Sequence, residues 1–128
     1  MNESGSTRVV EVTPVIPAKD MEESLAFYEG KLGFERRFAY AEDKDGPISY
    51  AGLHRAGLTL HLQAIVPGQD DAVPLIRIRV ENIDPLYEEY LAEGVVSPTG
   101  RPEEKPWGSR DFGLYDPNGA ALVFYEDL

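Results

Sequence analysis

The chain has no cysteine among its 128 residues. That excludes disulfide bonds, thiolate catalysis and cysteine-based zinc sites, and it suits a reducing cytoplasm. Basic residues are scarce: 12 Lys and Arg stand against 23 Asp and Glu, for a net charge of −11. So acidic a chain repels a phosphate backbone, which argues against nucleic acid as a partner. A cationic ligand would be drawn in over about one Debye length, although acidity also serves solubility alone. Long apolar runs are missing as well. None approaches the roughly 18 residues of a membrane span, so no membrane partner is expected. The first residues are small and polar and lack the basic start and apolar stretch of a signal peptide; residues 1–8 read as a flexible tail.

What is present fits one soluble domain over residues 9–128: 42% of residues are hydrophobic and 27% charged. A β-branched cluster predicts a strand from Val9 to Ile16. Asp20, with Glu23 three residues on, has the spacing of a capping box. Leu25, Tyr28 and Leu32 then share one helical face, and Gly33 supplies the stop. Strands are expected over Phe34–Ala41, Ser49–Leu53 and Leu58–Leu62, the last two joined by the tight turn Arg55-Ala56-Gly57.

Residues 63–74, with two prolines and two consecutive aspartates, read as a linker. After it the order restarts. Leu75–Val80 is a strand, Asp84-Pro85 an N-cap followed by proline at the first helical position, and Leu86, Tyr90 and Leu91 the buried face. Gly94 stops that helix. A short strand near Val95 and the loop Thr99–Ser109 lead to strands Arg110–Tyr115 and Ala121–Glu126, split by the turn Asp116-Pro117-Asn118-Gly119. The halves superpose as a weak repeat. At an offset of 62, Gly57 meets Gly119 and Leu60 meets Leu122; at 61, Gly52-Leu53 meets Gly113-Leu114. The expected fold is α+β: two βαβββ modules, about 9–63 and 75–126, forming curled mixed sheets around a groove with helices outside.

From Pro14 to Glu126 the sequence resembles the vicinal-oxygen-chelate superfamily of glyoxalases, bleomycin-resistance proteins and dioxygenases. The residues that carry the likeness are Ser24-Leu25-Ala26-Phe27-Tyr28, Leu32-Gly33-Phe34, Tyr50-Ala51-Gly52-Leu53, Pro106-Trp107-Gly108, Asp111-Phe112 and Asp116-Pro117-Asn118-Gly119. The stretch around Trp107 is most similar to the bleomycin-binding branch. The resemblance implies metal-ligand positions in the metal-dependent members. Here they hold Thr13, His61, Leu75 and Val123, so one donor of four remains. Neither a metal nor another cofactor is expected, and no catalytic residue is assigned.

Strand alternation sets the side chains that look into the groove. With His61 go Thr59 and Gln63; with Leu75 go Arg77 and Arg79; Val123 and Tyr125 share a face, as do Phe38 and Tyr40. Trp107 overhangs the groove mouth, and Phe112 is counted with the ligand-binding residues. Aromatic faces with a few polar groups suit a flat or cationic ligand. Arg77 and Arg79 instead mark either an anionic ligand or a salt bridge to acidic groups across a dimer interface. The leading functional expectation is a metal-free binding protein that sequesters a toxic small molecule, a bleomycin-like glycopeptide being the first choice. A metal-dependent lyase, isomerase or dioxygenase, and a metabolite-sensing domain, stay open. A homodimer is expected, with Pro14 and Pro17 stiffening an N-terminal strand exchanged between partners, as the resemblance implies.

Overall fold

In the computed structural model, which describes residues 5–66, 72–97 and 102–128, the chain runs twice through strand, helix and three strands. The first pass is β1 (Val15–Ala18), α1 (Met21–Ala26), β2 (Glu35–Ala41), β3 (Ile48–Arg55) and β4 (Leu58–Ala64). The second is β5 (Leu75–Arg79), α2 (Ile83–Ala92), β6 (Glu103–Glu104), β7 (Ser109–Tyr115) and β8 (Ala121–Asp127). Each pass makes its own mixed sheet, in the orders β1-β4-β3-β2 and β5-β8-β7-β6. Only β1 and β5 pair in parallel, against β4 and β8. Parts of the expected tail (residues 1–4), linker (67–71) and long loop (99–101) lie outside the described residues. Among those described, no helix is long and apolar enough to cross a membrane.

The first helix starts where its sequence says. The Asp20 carboxylate accepts the Glu23 N–H at 3.0 Å, the helix continues as a π-helical turn over Phe27–Lys31, and Gly33 at φ +76 ends it. The second departs from expectation. It begins at Ile83, so Asp84 lies inside its first turn rather than at the cap, and Pro85 stands at the third helical position rather than the first. The cap is tertiary: the Glu126 carboxylate, on β8, accepts the N–H groups of Asn82 and Ile83 at 2.8 and 3.3 Å. Asp84 is thereby left to pair with Arg110 at 2.9 Å. The buried stripe is also rotated. Ile83, Tyr87 and Tyr90 face the sheet, while Leu91 is exposed.

The N-terminal strand starts six residues later than expected. Val9, Val10 and Val12 are 79–85% exposed. Pro14 gives the reason. Its carbonyl accepts the His61 N–H, so its nitrogen also faces β4, where a proline has no hydrogen to continue the ladder. Pro17 alternates to the free edge of β1 and is tolerated there. Around Val95 the expected strand shrinks to a single bridge, Val96 to Leu114.

The core has two layers under the helices. Ile16, Ala51, Leu53, Leu60 and Leu62 lie beneath Leu25, Tyr28 and Leu32; Phe112, Leu114, Leu122 and Phe124 lie beneath Ile83, Tyr87 and Tyr90. Full burial stabilises by about 1.5–3 kcal/mol per large apolar side chain. The halves are tied by their hairpin tips. The Tyr28 hydroxyl donates to Asp116 Oδ2 at 2.8 Å. At the repeat-related crossing, Arg55 Nη1 donates to the Tyr90 oxygen at 3.3 Å and forks onto Glu89 at 2.6 and 2.8 Å. Burial holds the Tyr28 phenol far above its ordinary pKa, reinforced by Asp116; burial likewise pushes Tyr90 up to about 12.

Candidate functional site: two bare sheet faces

Each sheet packs one face against its helix and leaves the other open, because strand side chains alternate. On the first sheet the open face carries Phe38, Tyr40, Tyr50, Thr59, His61 and Gln63. Register aligns Val15, His61, Gly52 and Phe38 across all four strands. Gly52 is required there: a Cβ would stand 2.6 Å from the Phe38 ring that lies over it. The Tyr50 hydroxyl meets His61 Nδ1 at 2.8 Å. Phe38 stacks on Tyr50 and sets its edge to His61, with centroids 6.2 and 5.3 Å apart. If the phenol donates to Nδ1, the imidazole proton sits on Nε2 and offers one hydrogen-bond donor outward.

The second open face is more polar. The Arg77 guanidinium lies 4.2 Å from the centre of the Tyr125 ring. Asp111, little exposed, is 4.0 Å from Arg77 and 3.7 Å from Lys105. Both ion pairs are long, so the carboxylate is loosely held. A cavity of about 500 Å³ includes Lys105, Asp111, Gly113, Tyr115, Ala121 and Val123. Gly113 is the repeat partner of Gly52 but has no ring over it: a Cβ would touch only Leu122 O and Val123 Cγ2, at 3.6 and 3.7 Å. The floor that Phe38 covers in the first sheet is bare in the second.

The structure brings Phe38 and His61 together and puts Tyr40, Thr59 and Gln63 on the same face. Arg77, Arg79 and Tyr125 share the second face, and each arginine has an acidic neighbour in its own chain, Asp111 and Asp127. Phe112 does not join them. It is 2% exposed and packs on Tyr87 and Phe124. The open face belongs to its neighbour Asp111, a difference of one residue that swaps faces in a strand. Trp107 is exposed at the tip of the β6–β7 hairpin. Sequence reasoning also passed over Tyr50 as a site residue. Its signal was available: Tyr50 and Gln63 are cross-strand partners.

A family model described as the Glyoxalase/Bleomycin resistance protein/Dioxygenase superfamily matches residues 8–124. The chain belongs to that superfamily. It is 26% identical to a bleomycin resistance protein of Geobacillus stearothermophilus, over 90% of this chain and 95% of that one. Two solved structures are similar along almost their whole length. One is a bleomycin resistance determinant encoded on the transposon Tn5 (26% identity, 93% and 98% coverage, TM-score 0.75). The other is a bleomycin-binding protein from bleomycin-producing Streptomyces verticillus, complexed with copper(II)-bleomycin (25% identity, 93% and 97%, TM-score 0.68).

The superfamily includes metal-dependent members, and the residues here do not fit a divalent cation. Of the four implied positions, Leu75 and Val123 have aliphatic side chains, and the Thr13 hydroxyl donates to Glu11. His61 alone offers an imidazole, with its Nδ1 already held by Tyr50. Among the described residues no three His, Asp or Glu side chains gather closely enough to hold a metal. No chemical step through a metal is derived for this chain.

Proposed function

We propose that the protein sequesters a small toxic molecule without transforming it, in the manner of the bleomycin resistance proteins it resembles. One observation carries this reading: identity to such proteins extends over nearly the whole of both chains, while the open faces offer aromatic and hydrogen-bonding groups where metal ligands are implied. Phe38, Tyr40, Thr59, His61 and Gln63 form one wall of the site; Arg77, Arg79 and Tyr125 form the other, with Trp107 near the mouth. The bare floor at Gly113 suits a planar ring of the ligand. The cysteine-free chain is suited to the cytoplasm.

The binding unit is a homodimer. Three features support it: both walls are open in one chain, β1 and β5 each present an edge unpaired among the described residues, and the valines before Pro14 are exposed. A second copy that set its β5 edge against β1 would close a groove between one wall from each chain.

The test is titration calorimetry with metal-free and copper(II)-loaded bleomycin. Saturable heat with one ligand per groove supports the reading, and Phe38→Ala should then weaken binding at least tenfold. Absence of heat with both forms at high micromolar protein sinks the bleomycin version.

A further inference from the structure

The two hairpin tips that cross between the modules are not equally closed. At the first crossing, the loop Pro117-Asn118-Gly119 follows Asp116, whose N–H donates to Ala120 O at 2.9 Å. Its Asn118 amide fills the junction. Oδ1 accepts the Lys19 N–H at 2.9 Å and Nδ2 donates to Ser24 Oγ at 3.1 Å. Ser24 and Asn118 are both buried.

The repeat predicts the same contacts at the second crossing, with Glu81 for Lys19, Leu86 for Ser24 and Tyr90 for Tyr28, all at an offset of 62. They are absent. The β3–β4 loop has two residues, Ala56 and Gly57, both at positive φ, inside the pair Arg55–Leu58. The other tip has three, 117–119, inside the hydrogen-bonded Asp116 and Ala120. Counted in this way the β3–β4 loop is one residue shorter, and it has no amide. Where the asparagine would stand there is a cavity of about 710 Å³, bounded by Ala56, Gly57, Leu58, Glu81, Leu86 and Tyr90 among others. Sites for small molecules span about 300–1,000 Å³.

One polar group is left over. The Val80 N–H donates to Tyr125 O, so alternation turns the next N–H, that of Glu81, to the free edge of β5. Lys19 holds the same place beside β1, and there Asn118 takes the hydrogen. Among the described residues no acceptor takes the Glu81 N–H. The Glu81 side chain is exposed.

We infer that this inter-module cavity is a second binding site, separate from the sheet faces, for a small neutral molecule with a primary carboxamide on an apolar ring or branched body. The amide replaces the missing asparagine. Its oxygen accepts the Glu81 N–H and its NH₂ donates to the Glu81 carboxylate. The body lies on Leu58, Leu86 and Phe124. Arg55 and Arg79 also line the cavity, but both guanidinium groups are already paired, with Glu89 and Asp127; a carboxylate in the amide's place would instead face the Glu81 carboxylate with no hydrogen to give it, and is rejected.

The test uses the full chain, ¹⁵N-labelled, titrated with benzamide and separately with benzoate. Benzamide should move the Glu81 amide resonance downfield, with Leu58 and Leu86 following, and benzoate should leave them in place. Two variants check the location. Replacing Ala56-Gly57 by Pro-Asn-Gly copies the first tip; it should move the Glu81 resonance downfield without ligand and abolish the response to benzamide. Leu86→Trp fills the cavity by another route and should abolish the response as well. The inference is overturned if benzamide shifts only sheet-face residues, if benzoate competes equally, or if both variants respond like the parent. It is also overturned if removing residues 1–13 moves the unliganded Glu81 resonance upfield, since the N-terminal arm would then be the occupant.

Discussion

Tyr28 and Glu89 show how single residues carry the junction between modules. The Tyr28 phenol stays protonated at any ordinary pH, because burial and Asp116 both raise its pKa. It is therefore a permanent donor to a buried acceptor. Tyr28→Phe keeps the ring and removes only that hydrogen. The expected loss is about 1–3 kcal/mol, the cost of a buried acceptor losing its partner, read as a lowered urea midpoint with an unchanged m-value. Glu89 differs in kind. The Arg55 hydrogen bond holds its pKa below the usual carboxylate range, so its contribution is full above the unfolded value of about 4.3. That contribution fades as pH falls through the lower, folded value. The pair is partly exposed and worth no more than about 1 kcal/mol. Melting curves of the parent and Glu89→Gln should thus be separated at pH 7 and draw together as pH falls below the usual carboxylate range; a separation that grows on acidification contradicts this sign.

At the scale of elements, the open faces depend on close backbone packing. Gly52→Ala puts a methyl group into the Phe38 ring, so the ring must leave its seat over β3. Overpacking of this sort costs about 1–3 kcal/mol, and bleomycin affinity should fall with it if Phe38 lies in the groove wall. Gly113→Ala meets only ordinary contacts. It should leave the melting temperature within a degree or two while still weakening a ligand that lies on that floor. A pair of thermal melts and titrations separates the two glycines. The cap of α2 makes a related point. Glu126→Gln should destabilise by roughly 1 kcal/mol, seen as faster amide exchange at Asn82 and Ile83, although neither residue is near it in sequence.

For the whole molecule, the order of elements was legible because the repeat, the glycine stops and the strand parity agree locally. Gly33, Gly94 and the turn at Ala56-Gly57 needed only their own backbone. So did the sharing of a face by Thr59, His61 and Gln63. What failed to show was tertiary. Glu126 caps a helix 43 residues away, so Asp84 looked like the cap. Pro14 stops a strand only because its nitrogen faces β4. Phe112 was counted with the ligand-binding residues although no alternation had been set for β7; its side chain is buried, and the open face falls to Asp111. The pairing of Tyr50 with His61 needs the β3–β4 register, which the sequence implies but does not print. At this scale too lies the assembly. Light scattering should give twice 14.2 kDa for the full chain, and removal of residues 1–11 should abolish that dimer. A full-length monomer would leave each chain with its own open walls.

The unlike hairpin tips have a further consequence. One brings an acid to a tyrosine; the other brings a guanidinium to a tyrosine and a glutamate. The repeat partner of Glu89 is Phe27, so a second copy of the first module could not receive Arg55 as α2 does. A second copy of the second module would carry Asp116 toward Glu89, acid against acid. The halves resemble each other yet are complementary rather than self-complementary. Two similar modules divided in charge in this way fit each other and not a second copy of themselves, which keeps the parts of the chain from pairing in the wrong combination.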